Sequence, residues 1–290
     1  MTLAPWLQAP YQAVGNRIDS GRFPHAILIQ GGRGLGKLPL ALAIAKRLLC
    51  ETRRADDQCS ACQLFDRQTH SDFYRVDVAE GKTVIDIESI RELSENLATT
   101  SMLGDRKVAV ISPADAMNTA ASNALLKTLE EPTPGSFLIL CSDRPAKLPA
   151  TIRSRCQKLS LSVPLPSEVE AWLREKGVQF EAWMTHQPYL AQDVEYAERQ
   201  SLIRQQLELL IDGQADALAV ADHLAKLPLS YVLDVMCMWV GSAMLQSSGA
   251  RQVALSRVQV QIVRYLADEL TGLNARATLE SILLNFAKQR

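Results

Sequence analysis

The chain has 290 residues, of which 47% are hydrophobic and 22% charged, with a formal net charge of −1 at pH 7. Those totals exclude a disordered or fibrous polymer and leave room for two or three packed domains. They also exclude a chain-wide basic field, so any contact with nucleic acid has to be local or shared with partners.

In chain order, residues 1–162 alternate short apolar runs with helical patterns. Strands are predicted at 25–30, 73–77, 107–112, 137–141 and 157–161, with helices at 38–49, 87–99 and 117–130 between them. Strand and helix alternating in this way predict an α/β domain: a doubly wound parallel sheet with helices on both faces. Val163-Pro164-Leu165-Pro166-Ser167 then breaks the pattern. A helix is predicted to follow, with Ser167 as N-cap and Glu170 completing a capping box. From there to the end the apolar spacing is helical, giving a small helical unit over 163–205 and an all-helical segment over 206–290, punctuated by Gly213, Pro228 and Gly272. The most apolar stretch, 229–245, carries Asp234 near its centre and falls short of a bilayer span, so it reads as a buried helix. Pro5, Pro10 and Gly15 interrupt the pattern a secretory signal needs, which gives the expectation of a cytoplasmic protein with no membrane contact.

Between the first strand and its helix lies Gly31-Gly32-Arg33-Gly34-Leu35-Gly36-Lys37, which satisfies G-x-x-x-x-G-K in the setting that gives the motif meaning. Glycines let backbone N–H groups converge on phosphate oxygens at a helix N-terminus, and the lysine adds charge. The next position should hold Mg²⁺ through a hydroxyl, yet it is Leu38. The acidic pair expected after the strand at 107–112 is also missing, because Ser112 and Pro113 stand there. With both metal and water contacts gone, ATP is not expected to bind productively. The alternative is a slow ATPase that uses Gly31, Gly36 and Lys37 with Asp115 as an unorthodox metal ligand.

Cys50, Cys59 and Cys62 cluster just after the phosphate-loop helix, and Cys59-x-x-Cys62 has the knuckle spacing of a structural zinc site. Three free thiols in a loop are the competing reading. Cys141, Cys156 and Cys237 sit in apolar runs and read as core residues.

Further along, Ser122-Asn123-Ala124-Leu125-Leu126-Lys127-Thr128-Leu129-Glu130-Glu131-Pro132 and Ser154-Arg155-Cys156 follow the degenerate loop in fixed order. With these motifs the sequence resembles the bacterial clamp-loader AAA+ family, specifically the delta prime subunits of DNA polymerase III. Lesser likenesses are Pro24-His25, Thr69-His70-Ser71-Asp72, Ile85-Asp86 through Arg91, and Leu273-Asn274 through Leu279-Glu280.

The resemblance implies an AAA+ domain at 1–162 with a zinc-binding insertion, a helical lid at 163–205 and a helical oligomerisation collar at 206–290. It implies a hetero-oligomeric ring with gamma/tau-type ATPase subunits and a delta-type clamp-opening subunit, acting on a sliding clamp and primed DNA. In that ring the chain would not hydrolyse ATP itself. Arg155, with Ser154 and Cys156 completing its motif, would act in trans as an arginine finger on ATP held by a neighbour. Active relatives present a lid arginine to their own nucleotide; the matching stretch here, Met184-Thr185-His186-Gln187-Pro188-Tyr189, has none. The family's insertion carries four cysteines; allowing a three-residue deletion puts Asp56 in the register of the missing ligand, with Asp57 or His70 as other candidates.

Overall fold

The structure is a computed structural model that describes residues 3–55, 59–267 and 274–287. The chain divides into two compact units, 1–192 and 193–290. The lid boundary expected at 205/206 therefore falls inside a helix of the second unit.

In the first unit the elements run α1 (Pro5–Asp19), β1 (Ala26–Gln30), α2 (Lys37–Leu49), α3 (Ser60–Asp66), β2 (Phe73–Val76) and α4 (Ile87–Ala98), followed by β3 (Lys107–Ile111), α5 (Thr119–Glu130), β4 (Ser136–Ser142), α6 (Ala150–Arg155), β5 (Gln157–Ser160) and α7 (Pro166–Arg174). The five strands form one parallel sheet in the order β2-β3-β4-β1-β5. Covering a parallel sheet on both faces demands unbroken apolar strands. The central strands comply: Ala26 to Ile29 of β1 and all of Lys107–Ile111 are buried. Around them Leu28, Ile90, Leu97, Ile111, Leu125, Leu140 and Ile152 share one core.

Local signals set the helix starts. Asp86 accepts the Ser89 N–H at the head of α4, and Asn118 accepts the Ala121 N–H at the head of α5, so each satisfies a donor the helix leaves unpaired. The capping box predicted on Ser167 is corrected by the structure. Helix α7 begins at Pro166, and it is the Leu165 N–H that donates to Glu168 Oε2 at 3.0 Å. Proline's fixed φ favours the first helical position, and Pro166 takes it ahead of Ser167. Glu170 instead pairs with Arg174.

The second unit holds α8 (Val194–Ile211), α9 (Ala217–Leu224), α10 (Leu229–Leu245), α11 (Gly249–Ala267) and α12 (Ala275–Ala287). Leu207, Leu210, Val232, Met236, Val258, Ile262, Leu283 and Phe286 form its core. Gly213, with φ of 75°, turns the chain after α8, and Pro228 precedes α10; Gly272 lies outside the described residues. The apolar stretch over 229–245 is α10 from end to end. No described helix is long and apolar enough to cross a membrane.

Candidate functional site

The phosphate-type loop leaves β1 where the sheet offers a crevice. Strands β1 and β4 are neighbours, and their onward connections run to opposite edges, β1 towards β2 and β4 towards β5. Adjacent carboxyl ends of this kind are where open α/β sheets bind ligands. Gly36 takes a φ of 95°, a left-handed value that favours glycine, and α2 starts at the next residue.

Lys37 is only 6% exposed. Its Nζ donates to the carbonyl oxygens of Gly31 and Gly32 at 2.8 and 2.6 Å and pairs with Asp143 Oδ1 at 2.5 Å. A buried ammonium needs a full set of partners, and here the chain supplies all of them, including the counter-charge. Asp143 is itself braced. Asp115 Oδ1 accepts the Ser142 hydroxyl at 2.7 Å and the Asp143 N–H at 3.0 Å. Asp115 thus holds the end of β4 through its Oδ1.

The lid turn roofs the loop. The Tyr189 N–H donates to Gly34 O at 3.0 Å, and the Tyr189 hydroxyl accepts the Ala4 N–H at 3.3 Å. A Cβ built on Gly36 would lie 2.3 Å from the Tyr189 ring, and one on Gly34 would lie 2.9 Å from Gln187 Cα. Trp6, Trp172 and Tyr189 stack on one another at centroid separations of 5.0 to 6.0 Å, and Trp6 Nε1 donates to Leu35 O at 3.0 Å. Aromatic clusters of this spacing contribute beyond their buried area. A phosphate that reached Lys37 would compete with the Asp143 carboxylate for its ammonium.

Arg155 ends α6. Ile152 and Cys156 anchor the backbone on either side in the core shared with Leu125 and Leu129 of α5, while the Arg155 side chain reaches the surface. Its Nη1 donates to Thr151 O at 3.0 Å, and its Nη2 meets Glu130 Oε1 at 2.6 Å. Ser154 donates its hydroxyl to Thr151 O. Burial pushes the Cys156 thiol up to about 11 and the Cys141 thiol to about 12, as expected of core cysteines.

The predicted metal residues converge. The sulfurs of Cys50, Cys59 and Cys62 all lie within 4.8 Å of one another, and Cys50 Sγ is 3.8 Å from Cys59 Sγ. A tetrahedral zinc with Zn–S bonds of about 2.3 Å has S···S edges of about 3.8 Å, so the donor set fits zinc. Burial raises the Cys50 thiol, but hydrogen bonds from Thr52, Ala55 and Cys62 outweigh it and bring it to about 6, the thiolate form that binds metal. Among the described residues no fourth ligand joins the cluster. Asp56 and Asp57 lie outside the described residues. His70 is buried, and its Nδ1 accepts the Asp72 N–H at 3.1 Å; burial also keeps its ring neutral. The proton therefore sits on Nε2, which has no lone pair to give.

Sequence reasoning located the loop, Arg155 and the thiols. It missed Asp143, Glu130 and Tyr189, which act through contacts with residues far along the chain. The absence of an arginine in the lid turn was the one available signal, and it pointed to the segment that roofs the loop.

A parallel sheet ordered β2-β3-β4-β1-β5, with a phosphate-type loop after β1, defines an AAA+ α/β domain. Among solved structures the chain resembles a DNA polymerase III gamma subunit-related protein from Thermotoga maritima, with a TM-score of 0.52 at 20% identity, covering 97% of this chain and 99% of that one. That likeness speaks for the fold. The family described as DNA polymerase III, delta subunit matches residues 7–164. The delta′ subunit of DNA polymerase III from Pseudomonas aeruginosa is 30% identical over 91% of this chain and 84% of the relative. The Yersinia pestis delta′ subunit is 31% identical over 100% of this chain and 88% of the relative. The chain belongs to the DNA polymerase III delta′ family.

Proposed function

We propose that the chain is the non-hydrolysing delta′ subunit of a cytoplasmic DNA polymerase III clamp loader. In this reading it joins gamma/tau-type ATPase subunits and a delta-type clamp-opening subunit in a hetero-oligomeric ring that loads a sliding clamp on primed DNA. One contrast carries the proposal. Lys37 of the chain's own phosphate loop is already paired with Asp143, Leu38 stands where a metal-binding hydroxyl would and no acidic pair follows β3, whereas Arg155 stands at the surface with donors to spare. Arg155 acts in trans as an arginine finger: a planar, permanently charged fork suits the oxygens of a neighbour's γ-phosphate as charge develops on them. The helical second unit serves as the oligomerisation collar.

The test is a pair of measurements. The purified chain alone gives no Mg²⁺-dependent ATP hydrolysis and no saturable binding at millimolar nucleotide, while adding it to the other subunits, clamp and primed DNA raises ATP turnover and clamp loading. Hydrolysis by the isolated chain, or loading that proceeds equally well without it, would overturn the proposal.

Cys50, Cys59 and Cys62 would hold one zinc, with Asp56 as the proposed fourth ligand. Bound zinc would pin the segment between α2 and α3 and carry no reaction. About one zinc per chain is expected by metal analysis of the purified protein, and Cys62→Ser should lose it. Metal-free protein with an equally protected 50–62 segment in hydrogen exchange would count against the site.

A further inference from the structure

Arg155 is not a loose surface side chain. Its backbone is fixed between the buried residues Ile152 and Cys156, and its guanidinium is held from two directions. Thr151 O, one turn back on α6, takes Nη1 at 3.0 Å, and Glu130 Oε1, at the end of α5, takes Nη2 at 2.6 Å. The two side chains remain 36% and 50% exposed. An ion pair that wet contributes little to folding, so its effect has to be sought in what it does to the arginine. A guanidinium has five N–H donors; these two contacts engage two of them and leave three. The anchoring therefore orients the fork without consuming it.

We infer that Glu130 is a positioning residue for Arg155, holding the guanidinium in its presented geometry before a neighbouring ATP site closes on it. The inference rests on the trans-acting role proposed above for Arg155. Arginine has four flexible side-chain torsions, and ordering them at the moment of reaction subtracts from transition-state stabilisation. Glu130 has already ordered them within the subunit. Because Glu130 touches the guanidinium and not the nucleotide, its loss lowers the catalytic rate without weakening ATP binding to the neighbour. Its location also gives the long Ser122-to-Pro132 motif a concrete purpose, since the carboxyl end of α5 delivers the carboxylate that meets α6.

The experiment uses the reconstituted complex with ATPase subunits, clamp and primed DNA, and compares wild type with Glu130→Ala, Glu130→Gln, Arg155→Ala and the Glu130→Ala/Arg155→Ala double variant. Glu130→Ala is expected to reduce kcat for ATP about 10-fold, equivalent to about 1.4 kcal/mol, with KM, complex assembly and thermal unfolding unchanged. Glu130→Gln keeps an oxygen to accept the Nη2 hydrogen bond and should recover part of that loss, falling only about 3-fold. In the absence of the arginine the carboxylate has nothing to position, so the double variant should match Arg155→Ala. If Arg155→Ala slows turnover and Glu130→Ala does not, the positioning inference is overturned and the finger stands. Faster turnover in Glu130→Ala also overturns it, because Glu130 would then be restraining the arginine. If Arg155→Ala itself has no effect, the finger falls and the inference falls with it.

Discussion

Arg155→Ala is expected to lower ATP turnover at the neighbouring site it serves by on the order of 10³-fold in the reconstituted complex. The magnitude follows from what is removed: a fixed cation aimed at charge that grows in the transition state, in a closed interface where such charge is poorly screened. Arg155→Lys should rescue little, because an ammonium is a point charge with no planar fork. The subunit itself should be undisturbed. The Arg155–Glu130 pair is largely solvated and contributes at most about 1 kcal/mol, so the variant should unfold with the same urea midpoint and enter the complex normally. The decisive measurement is single-turnover hydrolysis in the presence of clamp and primed DNA; an unaltered rate would remove the finger from the proposal.

Gly36→Ala is expected to destabilise the first unit by about 3 kcal/mol. Two costs combine. A non-glycine residue at a φ of 95° carries about 1 kcal/mol or more of backbone strain. Its Cβ would also fall 2.3 Å from the Tyr189 ring and 2.8 Å from Leu7 Cδ1, an overpacking that typically costs about 1–3 kcal/mol. Relief would require the lid turn to lift from the loop, which breaks the Trp6–Trp172–Tyr189 stack. Urea unfolding followed by circular dichroism reads the shift. A variant as stable as wild type would mean that Tyr189 does not rest on the loop.

The parts of the fold legible from sequence were those that local patterning dictates. The run over 108–111 is apolar because both sheet faces are covered, whereas α10 over 229–245 is only partly buried: Val232, Leu233, Val235, Met236 and Val240 enter the core of the second unit and Leu245 is exposed. The start of α7 was misjudged because two local rules competed there and Pro166 outranked Ser167. The 3-10 turn at Ala182–Thr185 has no periodicity for a pattern to catch. At the candidate site, motif spacing exposed the loop, the three thiols and Arg155. It could not show what neutralises Lys37 or steadies Arg155, because Asp143 and Glu130 reach them only once the sheet and helices are assembled. A motif records which groups a chain carries; tertiary contacts decide whether they face a ligand or one another.

A nucleotide phosphate arrives, is cleaved and departs, and each event changes the charge that a loop lysine meets. The Asp143 carboxylate, fixed to the same backbone as Lys37, does none of these things. In the proposed reading the lysine meets one permanent anion whatever the ratio of ATP to ADP, so the domain would have no fuel gauge of its own and its motions would be imposed by its neighbours.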